Sequence, residues 1–493
     1  MRIAFLNPQG NFDALDSYWT EHADFGGQLV YVKEVAIAMA GHGHQVDILT
    51  RQIVDPKWPE FEAPLARYPG VANVRIVRLP CGPKRFLPKE ELWPHLGTEW
   101  VPNILAFCQN EGGLPEVATA HYADGGLSGA LLKQATGMPY TFTAHSLGAQ
   151  KMDKLGVTPE SLAGTHAHFH FARRIFAERV GMNHAGRILT SSTQERMVQY
   201  GHPAYRGAVD PGDDSRFAVI PPGVNLRIFS SKPSAEDAAI QRRIEAAVQR
   251  DIANGRRDLP LVIASSRLDR KKNHMGLVRA FAASQDLRAS ANLAIVVRGL
   301  EDPLRHYDSL RPEEKAIMDE ITGLMREHGL WGLVTAFPLN SQEELAAAYR
   351  SLAGRGSAFS VTALYEPFGL APLEAMSCGL PAVVTQNGGP SESLRDEETG
   401  QEFGVLVDPT DAQDIAAGLL RLVGPGNEWQ AYHNAGRQRV LDRYTWEQTA
   451  MGYERVIEQV LAAHLPIPAY FRDPKPENEP SLSSLGNIWA SGD

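Results

Sequence analysis

Three cysteines in 493 residues, Cys81, Cys108 and Cys378, are too few and too scattered to staple a fold or to ligate a metal. A reducing compartment is the expected setting. No apolar run is long enough for a signal peptide or a membrane span, and Met1-Arg2 leads straight into Ile3-Ala4-Phe5-Leu6, so the chain reads as cytoplasmic. Positive charge is in deficit: 48 Lys and Arg against 58 Asp and Glu give a formal charge of −10, which argues against a general surface for nucleic acid or anionic membrane. A phosphorylated ligand would therefore need cations gathered locally. Internal repeats and low-complexity tracts are also missing. What remains, 43% apolar and 22% charged residues over this length, suits a globular chain with two ordinary cores.

Short apolar, β-rich runs alternate with helical stretches. The first series is Ile3-Leu6, Val46-Leu49, Arg75-Leu79, Val117-Ala120, Tyr140-Thr143 and Ile188-Ser191. A second follows at Leu261-Ser265, Leu293-Val297, Val334-Phe337, Ala358-Val361, Ala382-Thr385 and Gly404-Val407. Such spacing predicts two α/β domains, each a doubly wound, Rossmann-like parallel sheet with helices on both faces. Val219-Ile220-Pro221-Pro222-Gly223-Val224 marks the break, giving domains at 1–222 and 223–445. Helices are predicted at Asp411-Val423, Trp429-Tyr444 and Trp446-His464, the last capped by Thr445 and returning, with the segment of about 446–493, to the first domain. After Leu465 the composition turns to Pro, Asn and Ser, as in a surface tail. Ligands of such sheets bind at the carboxyl ends of the strands, so the expected active site is the cleft between the domains.

The segment Tyr365-Glu366-Pro367-Phe368-Gly369-Leu370-Ala371-Pro372-Leu373-Glu374 sits where a strand turns into a helix. A glycine approach to a helix N-terminus is an anion site, which places a diphosphate over Gly369, Leu370 and Ala371, with Phe368 beside them. Glu366 can accept hydrogen bonds from hydroxyls of a transferred sugar, and Glu374, deeper in an apolar helix, from the two hydroxyls of a ribose. Two carboxylates would then hold the two ends of one sugar nucleotide. For Glu366 alone, a first-turn glutamate stabilised by the helix dipole is an equal reading. In the loop Ser265-Ser266-Arg267-Leu268-Asp269-Arg270-Lys271-Lys272-Asn273, Arg267 and Lys272 are the cations that could meet the diphosphate, whose charge rises as it departs. On that account no metal cofactor is needed.

Arg267 with Lys272, Glu366 with Glu374, and Phe25-Gly26-Gly27-Gln28 together resemble the retaining glycosyltransferases of the GT-B fold, family 4, over nearly the whole chain. Asn7-Pro8-Gln9-Gly10, Asp24-Phe25-Gly26-Gly27-Gln28-Leu29-Val30-Tyr31-Val32 and His145-Ser146-Leu147-Gly148 are most similar to its sucrose-phosphate synthase and sucrose synthase branch. The resemblance implies transfer of glucose from UDP-glucose, less often ADP-glucose, to the 2-hydroxyl of fructose 6-phosphate. It also implies that His145 lies at the 6-hydroxyl of the donor glucose. A glycine-rich loop opening the helix Gln28-Ala40 lets bare amides approach a ligand: Gly26 and Gln28 are assigned to the acceptor and Gly27 to the nucleotide sugar. A dianionic phosphate needs several converging donors, for which Lys151, Lys154, Arg173 and Arg174 are at hand after Ser146, with Lys89 and Tyr122 as further acceptor contacts. Lys151 and Arg173 rank ahead of Arg174, because adjacent helix positions diverge. The run Ser-Leu-Gly followed by basic positions sides with the users of a phosphorylated acceptor. Ala172 departs from the family, which often has a polar residue there.

A double displacement would need a carboxylate beneath the anomeric carbon, and none presents itself once Glu366 is assigned to remote hydroxyls. The resemblance implies reaction on one face, the leaving phosphate oxygen taking the acceptor's proton, with domain closure excluding water. His166-Ala167-His168-Phe169-His170 does not read as a metal site, since alternate helix residues diverge. Asp124-Gly125-Gly126 and Asn387-Gly388-Gly389-Pro390 read as turns at strand ends, the second bordering the donor. A mannosylfructose-phosphate synthase, a sucrose synthase and a non-catalytic sugar-phosphate sensor remain as alternatives. A separate sucrose-phosphate phosphatase is the expected partner for release of the free disaccharide.

Overall fold

Successive strand residues face opposite sides of a sheet, and in this chain both sides are apolar, so each sheet carries two cores. The computed structural model describes residues 1–19, 26–158 and 160–463. The chain divides into two units, Met1–Pro222 together with the segment that Trp446 opens, and Gly223–Thr445. In the first, β1 (Arg2–Leu6), β2 (Gln45–Arg51), β3 (Leu65–Ala66), β4 (Val74–Leu79), β5 (Val117–His121), β6 (Tyr140–Thr143), β7 (Arg187–Thr190) and β8 (Phe217–Val219) form one sheet in the order β3-β4-β2-β1-β5-β6-β7-β8. Ile3 and Phe5 enter one core with Val32, Val35 and Met39 of the helix Gly27–Gly41. Ala4 and Leu6, one residue out of step, enter the other with Leu127 and Phe142.

The second unit holds β9 (Leu261–Ala264), β10 (Asn292–Val296), β11 (Val334–Phe337), β12 (Ala358–Val361), β13 (Ala382–Thr385) and β14 (Val405–Val407), ordered β11-β10-β9-β12-β13-β14 and parallel throughout. Leu261 and Ile263 face one core, Val262 and Ala264 the other. The doubly wound architecture expected from the spacing is the one observed.

Three details differ from the sequence reading. The first sheet is not wholly parallel: β3 pairs antiparallel with β4. Two residues make too short a run to read, and the same brevity hides β8 after the polar stretch 210–216. Asp124-Gly125-Gly126 is not a turn. These residues lie buried in the helix Tyr122–Thr136, where a Cβ on Gly125 would stand 2.5 Å from the Leu6 carbonyl oxygen and one on Gly126 would meet the Phe142 ring and the Gly181 Cα. The glycines let this helix cross the helix Phe171–His184 closely, a demand that a local reading cannot see.

The helix Trp446–Ala462 returns to the first unit through Trp446, Ala450, Tyr453, Ile457 and Val460, spaced at three and four residues and packed with the core face of the helix Gly27–Gly41. The Tyr453 hydroxyl lies 2.9 Å from Thr143 Oγ1 at the end of β6, and Thr449 donates to the Pro221 carbonyl at 2.8 Å. Position 464 and the tail beyond it lie outside the described residues. Ile457 is fully buried. Ile457→Ala is expected to cost about 2–5 kcal/mol, read as an earlier urea midpoint for the first unit with the second unit's transition unmoved.

Candidate functional site

In the second unit, β9 and β12 are neighbours although two strands intervene in the chain, and strand order reverses between them. Connections leave such a junction in opposite directions and open a crevice at the carboxyl ends. The loop after β9 supplies Lys272 and the loop after β12 supplies Glu366; Lys272 Nζ donates to Glu366 Oε2 at 2.5 Å, with side chains 25% and 19% exposed. Asn273 braces the pair. Its backbone is left-handed, its Oδ1 accepts from the Gly276 amide at 3.2 Å, and its Nδ2 donates to the carbonyls of Thr362 (3.0 Å) and Pro409 (2.8 Å). The Leu364 amide donates to the Lys271 carbonyl at 2.9 Å, which ties the two loops together.

Asn387-Gly388-Gly389-Pro390 follows β13 and locks onto Glu366. The Glu366 amide donates to Asn387 O, and the Gly389 amide to Glu366 O, each at 3.0 Å. A Cβ on Gly388, whose φ is 102°, would collide with the Glu366 carbonyl, which is why this position is a glycine. Arg267 is exposed, with no ion-pair or hydrogen-bond partner among the described residues. Gly369, at φ 90° and ψ 60°, opens the helix Leu370–Ser377. The amides of Leu370 and Ala371 have no intrahelical acceptor there, and Pro372 has no N–H to offer. The ring of Phe368, half-buried, packs against the core 6.2 Å from the Tyr444 ring.

Glu374 is half-buried and its carboxyl has no hydrogen-bond partner among the described residues; burial pushes that carboxyl up to about 7. Nearby, the Tyr349 hydroxyl lies 2.7 Å from Ser265 Oγ at the end of β9, and burial together with Glu374 raises that phenol well above its ordinary value. His274 Nε2 stands 3.3 Å from Ser266 Oγ, and burial, with Lys272 beside it, lowers this imidazole to about 4.

In the first unit the order reverses between β1 and β5. Gln28 donates to Asn7 Oδ1 at 2.7 Å, tying the helix that begins at Gly27 to the end of β1. Among the described residues nothing lies within 4 Å of a Cβ built on Gly26 or Gly27; Asp24 and Phe25 lie outside them. Asn7 Nδ2 and Gln9 Oε1 are buried with no partner among the described residues. After β5, Tyr122 takes a φ of 66°, and its ring carries Lys89 Nζ at 4.5 Å and the Arg174 guanidinium at 4.8 Å. After β6, His145 takes a φ of 58°. Burial, then the charge of Lys89, lowers its imidazole to about 3, so the ring is neutral.

Arg174 is the arginine of its pair that reaches Ser146, donating from Nη2 to the Ser146 carbonyl (3.0 Å) and hydroxyl (2.9 Å). Its Nε donates to Glu178 at 2.9 Å. Glu178 also accepts from the Gly148 amide at 2.8 and 3.0 Å and from the Tyr205 hydroxyl at 2.5 Å. Burial works against the Arg174 charge, yet Tyr122 and Glu178 hold the guanidinium above its ordinary value. The i,i+4 spacing of Arg174 and Glu178 was a local signal for this buried pair, whereas nothing local marks Tyr205 as its third member. Lys151 Nζ sits 4.2 Å over the Phe169 ring, and Arg173 is half-buried on the same helix as Arg174. His121, absent from the sequence reading, bonds to His145; a histidine closing an apolar strand was the available signal. Among the described residues no group of three His, Cys, Asp or Glu is placed to hold a metal, His166, His168 and His170 included, and no helix is long and apolar enough to cross a membrane.

The family described as "Glycosyl transferases group 1" matches residues 247–439, and "Glycosyl transferase 4-like domain" matches residues 26–210. A probable sucrose-phosphate synthase of Thermosipho melanesiensis is 41% identical over 459 residues, covering 93% of this chain and 97% of its own. A probable sucrose-phosphate synthase of Oryza sativa is 31% identical, covering 86% of this chain and 48% of its own; the chain spans about half the length of such plant relatives. Among solved structures, the sucrose-phosphate synthase from Thermosynechococcus elongatus superposes with a TM-score of 0.61 at 27% identity, over 94% of this chain and 100% of that one.

The raised carboxyl of Glu374 predicts a pH signature. Between its ordinary value of 4.5 and the folded value of about 7, the folded state holds a proton that the unfolded state releases, so stability falls as pH rises through that window. Glu374→Gln removes the penalty. Urea unfolding of the second unit should show the variant equal to the parent near pH 4 and more stable by about 1–3 kcal/mol at pH 8.

Proposed function

The chain belongs to the sucrose-phosphate synthase family of glycosyltransferases, and on that premise we propose that it transfers glucose from UDP-glucose to fructose 6-phosphate with retention, giving sucrose 6-phosphate and UDP. The observation that carries this reading is the Lys272–Glu366 contact at the strand-order reversal between β9 and β12. It offers a cation for the diphosphate and, one hydrogen bond away, a carboxylate for hydroxyls of the sugar.

On this reading, Lys272, Arg267 and the amides of Leu370 and Ala371 stabilise the charge that grows on the departing UDP. Glu366 orients the glucose and is not a nucleophile, because an ion-paired carboxylate serving the sugar's remote hydroxyls cannot also attack its anomeric carbon. The leaving phosphate oxygen takes the proton of the fructose 2-hydroxyl as the new bond forms on the same face. Glu374, lacking a protein partner, receives the ribose hydroxyls, which would draw its carboxyl down and release a proton on nucleotide binding. His145 contacts the glucose 6-hydroxyl, and Gly27, of the same unit, offers its amide to the nucleotide sugar. Fructose 6-phosphate is held by Gly26, Gln28, Ser146 and Tyr122, with Lys89, Lys151, Arg173 and Arg174 supplying charge for its phosphate. The two cations at the diphosphate take the place a divalent ion could fill, so activity should persist in excess EDTA.

Product analysis with UDP-, ADP- and GDP-linked glucose and with GDP-mannose, each against fructose and fructose 6-phosphate, tests the assignment. Sucrose 6-phosphate formed from UDP-glucose is the expected result. A product from GDP-mannose alone, or from free fructose alone, would overturn it in favour of a mannosylfructose-phosphate synthase or a sucrose synthase. Lys272→Ala should lower kcat by about 10²–10³-fold. Lys89→Met should raise the KM for fructose 6-phosphate by about tenfold and leave that for UDP-glucose unchanged.

A further inference from the structure

A chain of hydrogen bonds in the first unit runs from the interior of β5 to His145. Thr119 Oγ1 lies 2.5 Å from His121 Nε2, and His121 Nδ1 lies 2.9 Å from His145 Nε2. Thr119 and His121 are fully buried, and the His145 ring is half-buried. Each contact needs one donor and one acceptor, and a neutral imidazole has one of each, so only two proton arrangements satisfy the chain. In one, the Thr119 hydroxyl donates to His121 Nε2, His121 Nδ1–H donates to His145 Nε2, and His145 carries its proton on Nδ1. In the other, every bond is reversed and His145 Nδ1 is a bare acceptor.

Thr119 decides between them. Its hydroxyl makes no other hydrogen bond among the described residues, so the reversed arrangement strands its proton in the core, and the forward one does not. Both rings are neutral: burial and then His145 hold His121 well below its ordinary value, as burial and Lys89 do for His145. His145 Nδ1 has no hydrogen-bond partner among the described residues. The left-handed backbone of His145 is costly for a side-chain-bearing residue and persists where packing dictates it; here His121 stacks on the ring at 5.1 Å and the edge of Tyr31 meets it at 5.0 Å.

We propose that His121 is a positioning residue that, backed by Thr119, fixes His145 as its Nδ1–H tautomer and so presents a neutral hydrogen-bond donor to an oxygen of the bound sugar. The ligand part of this statement rests on the sugar-transfer reading; the tautomer does not. Nuclear magnetic resonance of ligand-free protein carrying ring-¹⁵N histidine, with His145 assigned by comparison with His145→Gln, reads it directly. Nδ1 should resonate as a protonated nitrogen and Nε2 as an unprotonated one. His121→Leu should shift the pattern toward the other tautomer or an average, and Thr119→Val should do the same. His121→Asn, which keeps an amide donor near the place of Nδ1, should retain it. With UDP-glucose and fructose 6-phosphate, His121→Leu should lower kcat/KM for the donor about tenfold, the worth of one neutral hydrogen bond, and His121→Asn should restore most of it. A protonated Nε2 on His145 in the parent, or an unchanged pattern in both His121→Leu and Thr119→Val, would overturn the proposal. If His121→Leu does not fold, the other two variants decide the same point. An Nδ1–H tautomer in a protein that turns over none of these sugars supports the tautomer assignment and counts against the substrate reading alone.

Discussion

Lys272 and Glu366 are 94 residues apart in sequence and meet at 2.5 Å because β9 and β12 are adjacent in the sheet while the chain between them builds β10 and β11 on the other side. Backbone and amide contacts from three loops brace this pair. Asn273 ties the β9 loop to the ends of β12 and β14, the Leu364 amide ties the β12 loop back to Lys271, and the Asn387–Pro390 turn holds Glu366 through its backbone. A partly exposed ion pair of this kind adds little to stability. Its consequence is positional: a cation and a carboxylate are held at fixed places at the sheet end, while Arg267 of the same β9 loop has no ion-pair partner among the described residues.

The first unit uses a buried pair to the same end. Arg174 and Glu178, both almost inaccessible, hold the Ser146–Gly148 loop between them, and Tyr205 completes the carboxylate's bonds. Removing two charges from water costs several kcal/mol per ion before their attraction is counted, so such a pair is poor evidence of stability. It does make the loop's geometry hard to alter, since displacing any member leaves a buried charge short of partners. The same end of the sheet gathers Lys89 and Arg174 around the Tyr122 ring, Arg174 being neutralised by Glu178.

Legibility differed by kind of feature. Twelve buried strands could be read because a sheet covered on both faces demands continuous apolar runs, and the helices between them carry their own period. β3 and β8 were too short to show such a run. Asp124-Gly125-Gly126 misled because glycine signals a turn locally, whereas here it clears space for the Leu6 carbonyl and for the helix that carries Gly181. The ring of Phe368 packs against the core, which its place in the loop segment did not reveal. That Arg174 turns inward to Glu178 and Tyr205 depended on packing, and His121 escaped notice because its bond to His145 joins the ends of two different strands.

Residue order alone therefore settled the class of fold and the two doubly wound sheets, and it offered the short segments proposed to bear chemistry, since periodicity, glycine placement and charge are local properties written along the chain. Which of those segments become neighbours, which arginine turns inward, which glycine is a packing surface and which imidazole nitrogen holds the proton depend on contacts between strands distant in sequence. Those were chosen by sheet order and helix crossing, because burial leaves each polar group only the partners that packing brings within hydrogen-bond reach.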